Sequence, residues 1–126
     1  MRVALNLPIE RKWLDMIASG KKKEEYRDCE HRQCVRLYNE TGRNGCVMPD
    51  NLVAVLRNGY KMNSRAVAVE IVGMTLRGGY EAKHPEWGEP KGRRAHLVVM
   101  LGEVVAQGTY AEVKQSLTVR TGKVGE

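Results

Sequence analysis

Residues 3–27, VALNLPIERKWLDMIASGKKKEEYR, carry the pattern that decides the fold. Val3, Leu5 and Leu7 alternate with Ala4 and Asn6, and this period of two predicts a short opening strand. Pro8 sets the backbone for a first helical position. Ile9, Trp13, Leu14, Met16 and Ile17 then recur at helical spacing, which predicts an amphipathic helix of about three turns. Trp13 falls on its apolar stripe with Ile9 and Ile17, so its indole is expected in the core. Ser19-Gly20 ends the helix, because glycine accepts the left-handed conformation of a helix terminus. Residues 24–27 have no helical stripe and are predicted to return as a strand.

Downstream, residues 34–38 (CVRLY) read as a strand and residues 41–45 (TGRNG) as a turn. Residues 52–56 form a stronger strand, punctuated by Asn58-Gly59. Residues 66–76 are the longest strand candidate, apolar on both faces. Residues 78–94, rich in Gly, Pro and charge, read as a long loop. Residues 97–105 form the last strand, with Gly102 a candidate bulge. Residues 110–117 suit a short helix, and residues 118–126 a frayed end. One early helix among about six strands predicts an α+β domain built as a small β-barrel of five to six strands with long loops.

The composition agrees with one domain. Ten Leu, three Ile and fifteen Val make 28 of 126 residues, enough for a core, and the excess of Val favours strands. No apolar run approaches the ~18–20 residues a membrane helix needs, and the first residues lack the apolar stretch of a secretory signal. Three cysteines, Cys29, Cys34 and Cys46, are an odd number in a chain with no export signal. They read as reduced thiols in a cytoplasmic protein. Twenty-one Lys and Arg against fifteen Asp and Glu give a net charge of +6, which favours acidic partners, nucleic acid before anionic small molecules.

Within this frame residues 20–27, GKKKEEYR, fit the pattern G-x-K-x-x-E-x-R through Gly20, Lys22, Glu25 and Arg27. Glu25 and Arg27, two apart on a strand, share a face at about 7 Å. Lys22, at the turn, can swing onto that face and place two cations around one carboxylate. Such a cluster can hold an anion or a planar base, Arg supplying a forked donor and Glu an acceptor. The same three residues also serve as a salt-bridge set that fastens a strand to a helix end, and spacing alone leaves both readings open.

This segment, directly after a helix containing Trp13, resembles the ASCH domain family, a branch of the PUA-like β-barrel superfamily associated with RNA. The likeness continues through LRNGY at 56–60, VAVEIVGM at 67–74 and PEWGEPKG at 85–92, and covers residues 1 to about 105. It is closest in kind to the small single-domain bacterial and phage members. It implies an ASCH domain over residues 1–108 and a C-terminal extension over 109–126. It further implies an RNA- or modified-nucleoside-binding protein with a basic cleft next to the first helix, lined by Lys22, Glu25, Arg27, Tyr60 and Trp87. Trp87 and Tyr60 suit stacking on a base, and Lys21, Lys23, Lys91, Arg93 and Arg94 suit phosphates.

The alternative is an RNA-processing enzyme, a ribonuclease or nucleoside amidohydrolase, with Lys22 and Glu25 as catalytic residues. In acetylcytidine amidohydrolase relatives the motif supplies a threonine nucleophile and a lysine partner. Aligning Lys22 and Arg27 on that segment puts Glu25 where the threonine would stand, so this chain departs from that subgroup. Cys29, His31, Cys34 and Cys46 have zinc-ligand chemistry, but Cys46 lacks the close partner that a second knuckle needs. No metal and no cofactor is therefore expected, and His84 and His96 read as surface or core histidines. P-loop, G-x-S-x-G and H-E-x-x-H patterns are absent. The expected partner is RNA or a modified nucleoside, not a membrane.

Overall fold

Among the described residues the chain forms five strands: β1 (Arg2–Pro8), β2 (Glu24–Asp28), β3 (Leu52–Arg57), β4 (Arg65–Arg77) and β5 (His96–Thr109). Three helices accompany them: α1 (Arg11–Ala18), α2 (Arg32–Leu37) and α3 (Tyr110–Thr121). The structure, a computed structural model, describes residues 1–42, 50–78, 80 and 82–121. The strands form one mixed sheet in the order β1-β3-β4-β5-β2, with β1 parallel to β3 and the remaining pairs antiparallel.

β3 is buried from Leu52 to Leu56, so both faces of the sheet need cover. On one face Leu52, Ala54 and Leu56 join Leu5 and Leu7 of β1, Val67 and Val69 of β4, and Leu97 and Val99 of β5. Leu14 and Ile17 of α1 and Cys34 and Leu37 of α2 close that core. On the other face Val53, Val55, Ala66 and Ala68 pack against Val113 and Leu117 of α3. Each large apolar side chain sealed this way contributes roughly 1.5–3 kcal/mol. The stretch expected to fray from residue 118 instead continues α3 to Thr121.

The sheet is open, with β1 and β2 as edges, where a closed barrel was expected. A side chain takes the place of a neighbouring strand at β1. Gln33 of α2 accepts from the Asn6 N–H at 2.9 Å and donates to the Asn6 carbonyl at 3.1 Å, which pairs the edge at that residue.

Three local expectations are corrected. Residues 34–38 are not a strand: α2 covers residues 32–37 and a π-helical turn follows over Tyr38–Gly42. Cys34, Leu37 and Thr41 are the buried positions, at spacings of three and four, so tertiary burial selects the helical period. α1 is eight residues long, and Pro8 closes β1 instead of opening the helix. β5 runs to Thr109, beyond the expected end at 105.

Gly102 lies at an irregularity, because Val69 faces Val104 while Ile71 faces Leu101. A Cβ there would stand 2.7 Å from Val72 Cγ1, so any larger residue needs the Val72 side chain to shift. Gly20 ends α1 at φ +82°, as its place in the sequence predicts. The 41–45 turn lies largely outside the described residues.

Candidate functional site

The turn from α1 into β2 builds a knot of charge. Its backbone is fixed first: the Lys22 N–H donates to the Met16 carbonyl at 3.0 Å and sends the side chain inward. Lys22 is only 2% exposed. Its Nζ donates to the Trp87 carbonyl at 2.6 Å and pairs with Glu25 Oε1 at 3.2 Å. It also lies 4.5 Å from the centroid of the Tyr26 ring and 5.3 Å from that of Trp13. Burial pushes the Lys22 ammonium to a lower pKa, and Glu25 only partly offsets it.

Glu25, 6% exposed, turns its other oxygen to Arg27, with Nη2 at 2.6 Å and Nε at 3.1 Å. Arg27 Nη2 also donates to the Pro8 carbonyl at 2.8 Å. The three motif residues therefore converge as their spacing predicts, but around one another. The space beside α1 expected to be a cleft is occupied by residues 84–89. A Cβ on Gly88 would meet the Trp13 ring at 2.9–3.2 Å, so this loop lies directly on the indole.

A second set of charges, which no sequence spacing signals, holds the same loop. The Glu89 side chain accepts from the His84 N–H at 2.7 Å and from Arg77 Nη1 at 2.5 Å, and lies 3.2 Å from His96 Nε2. Arg77 in turn donates to both oxygens of Glu24, at 2.9 and 3.1 Å, and Tyr26 donates to Glu24 at 2.9 Å. Burial pushes the Glu89 carboxyl up, but the bonds from Arg77, His84 and His96 outweigh it and hold the group at about 2. Arg77 is shifted upward by its bond to Glu24. Tyr26 is shifted upward by burial and by the same carboxylate.

Beyond this clasp lies an open cleft of about 520 Å³ between residues 26–30 and residues 90–96. Arg27, Lys91 and Arg94 line it, together with the carboxylates of Asp28 and Glu30. Asp28 is engaged locally, accepting the Glu30 N–H at 2.8 Å. Lys91 and Arg94 are exposed and have no ion-pair partner among the described residues. His96, also in the wall, has an Nδ1 that is buried without a hydrogen-bond partner among the described residues. An unmet polar atom of this kind is uncommon in a folded chain.

The other sequence candidates go elsewhere. Trp87 stacks on His84, with ring centroids 3.9 Å apart, and meets Lys22 through its backbone carbonyl. Tyr60, 79% exposed, sits in the β3–β4 turn with Arg57 6.0 Å from its ring centroid, and no contact joins it to Lys22, Glu25 or Arg27. Cys29 lines the cleft, its thiol donating to the Ala95 carbonyl at 3.3 Å. Cys34 is in the core, where burial pushes its thiol up to about 11. Cys46 lies outside the described residues. Among the described residues no helix is long and apolar enough to cross a membrane.

No family model matches the sequence, and no curated protein does. Among solved structures the fold is similar to that of a crystal structure of a point mutant of the ASCH protein of Zymomonas mobilis. The match covers 87% of this chain and 76% of that one, at 10% identity and a TM-score of 0.48.

Proposed function

We propose that this protein binds RNA, or a modified nucleoside, in the cleft between β2 and the loop entering β5. The sheet with its early helix is read as an open form of the PUA-like barrel that the GKKKEEYR segment resembles. The reading places the protein in the cytoplasm, with RNA as partner. The observation that carries it is the grouping of Arg27, Lys91 and Arg94 around one cleft of about 520 Å³. That volume is in the range of small-molecule sites. Arg27 is held in place by Glu25 and the Pro8 carbonyl, so its guanidinium is preorganised. Lys91 and Arg94 carry charge that the fold does not consume.

Binding is favoured over turnover by Lys22 and Glu25. A hydrolytic pair needs access to substrate, whereas Lys22 Nζ is engaged by Glu25 and the Trp87 carbonyl beneath residues 84–89.

The test is a titration of labelled single-stranded RNA at increasing salt. Affinity should fall linearly on a log–log plot, by about 0.7 in slope for each phosphate contact. The Lys91→Ala/Arg94→Ala double variant should flatten the slope by about 1.4 and weaken binding at least roughly tenfold at low salt. Lys114→Ala, an exposed cation on α3, should change neither. A nucleoside, which has no phosphate, would bind with little salt dependence, and this separates the two ligands. Absence of association with either RNA or nucleoside, or an equal loss in Lys114→Ala, overturns the reading.

A further inference from the structure

The β3–β4 turn displays large apolar side chains on an ordered loop. Tyr60 is 79% and Met62 52% exposed, although the same turn is pinned at several points. The Ser64 N–H donates to the Lys61 carbonyl at 3.0 Å, and the Lys61 N–H to Ser64 Oγ at 3.1 Å. Arg57 Nε donates to the Gly59 carbonyl at 2.9 Å. The first residues of α3 clamp the turn from below, with the Tyr110 N–H on the Ser64 carbonyl at 2.7 Å and the Ala111 N–H on the Met62 carbonyl at 2.9 Å. Gly59 holds φ +124° with Ser64 against it, a geometry that favours glycine. An exposed ring on so constrained a loop loses little conformational entropy when something stacks on it.

Two cations neighbour that ring, Arg57 in space and Lys61 next along the chain. The Arg57 guanidinium carbon lies 3.6 Å from the Tyr110 ring centroid and 6.0 Å from that of Tyr60. Lys61 is exposed and unpaired among the described residues. An exposed aromatic face flanked by Arg and Lys is the composition of a single-strand stacking site, where the ring takes a base and the cations its phosphates. The turn is also tied to the region of the cleft. The Ile9 N–H donates to the Arg57 carbonyl at 2.9 Å and Asn58 Nδ2 to the Ile9 carbonyl at 3.0 Å, while Arg27 holds the adjacent Pro8 carbonyl from the cleft side. The junction of β1 and α1 thus connects the two surfaces.

We infer that the β3–β4 turn is a second RNA contact, where Tyr60 stacks a base outside the cleft and Arg57 and Lys61 take the flanking phosphates. The inference rests on the proposal that the cleft binds RNA, and assigns Tyr60 to a surface separate from that cleft. It explains why a large aromatic ring stays in solvent on a turn that is otherwise fastened.

The experiment compares oligoribonucleotides of about 4 and about 16 nucleotides, the span of single-strand site sizes, by fluorescence anisotropy at low salt. Tyr60→Ala should weaken the long oligonucleotide about tenfold and leave the short one within twofold, while Tyr60→Phe keeps both. Lys61→Ala should lower the salt slope of the long one by about 0.7. Failure of the unmodified protein to bind either RNA overturns the cleft and the turn together. Binding that responds to Lys91→Ala/Arg94→Ala but not to Tyr60→Ala overturns the turn alone. An equal loss in Tyr60→Phe excludes stacking. Self-association that disappears with Tyr60→Ala, without change in RNA affinity, makes the patch a protein contact and overturns the inference.

Discussion

Lys22 and Arg94 are cations of one protein in opposite states. Lys22 is enclosed by a carboxylate, a backbone carbonyl and two aromatic rings, whereas Arg94 stands in solvent at the wall of a cleft with no partner among the described residues. A sequence motif records that Lys22, Glu25 and Arg27 belong together, but not which way they face. Here two of the three are turned inward and join the end of α1, β2 and the 84–89 loop. Arg27 belongs to both regions: its guanidinium is anchored in the knot and lines the cleft. The knot fixes Arg27 at the cleft wall, and the proposal gives the unpaired charge of Lys91 and Arg94 beside it to the ligand.

That division breaks first at Glu25. Glu25→Gln removes the counter-ion of a buried ammonium and the acceptor of Arg27, and should cost about 3–5 kcal/mol in denaturant titrations. The folded fraction should bind RNA only severalfold more weakly, because Arg27 loses its carboxylate but keeps the Pro8 carbonyl. If stability is unchanged, the knot is not structural.

The clasp at Glu89 is tested next, with acid. Its carboxyl is held at about 2 in the folded chain, against an ordinary value of 4.5. The folded state thus binds this proton more weakly than the unfolded state. The resulting stabilisation is complete above about pH 4.5 and drains away as pH falls toward 2. Thermal melts across that window should fall steeply for the unmodified protein and more gently for Glu89→Gln, whose side chain does not titrate.

Gly88→Ala probes the roof over the knot. It places a Cβ against the Trp13 ring at a φ of +84° and should cost on the order of 2 kcal/mol, visible as a lower Tm. The smallest effects on the fold belong to the cleft. Arg94→Ala alone should stay within about 0.5 kcal/mol of the unmodified protein in stability, while weakening RNA severalfold.

The β1–α1–β2 passage is legible because its periods are unambiguous: Leu5 and Leu7 alternate, Leu14 and Ile17 lie a helical turn apart, and Gly20 marks the stop. Five residues at 34–38 fit either period, and what selects the helix is burial of Cys34 and Leu37 against strands distant in the chain. The same limit governs the site. Glu25 and Arg27 are near each other by strand geometry alone. Burial of Lys22, however, depends on a carbonyl 65 residues away, and Arg77 meets Glu24 across 53. A run such as Lys21–Lys23 holds no local sign that its middle member is enclosed. Tyr60 shows the converse: its chemistry is plain in the sequence, but strand order puts it on a different turn from Trp87.

The most direct test melts Lys22→Met and Arg94→Ala and titrates both with single-stranded RNA under the same conditions. Lys22→Met leaves the Trp87 carbonyl without its donor and Glu25 without one of its two cations. It should lose about 3 kcal/mol, or roughly 10 °C in Tm, with the affinity of the folded protein intact. Arg94→Ala should melt with the unmodified protein and lose affinity. The opposite result, a stable Lys22→Met that no longer binds RNA beside an Arg94→Ala that binds normally, would make the enclosed motif the ligand site and contradict the account.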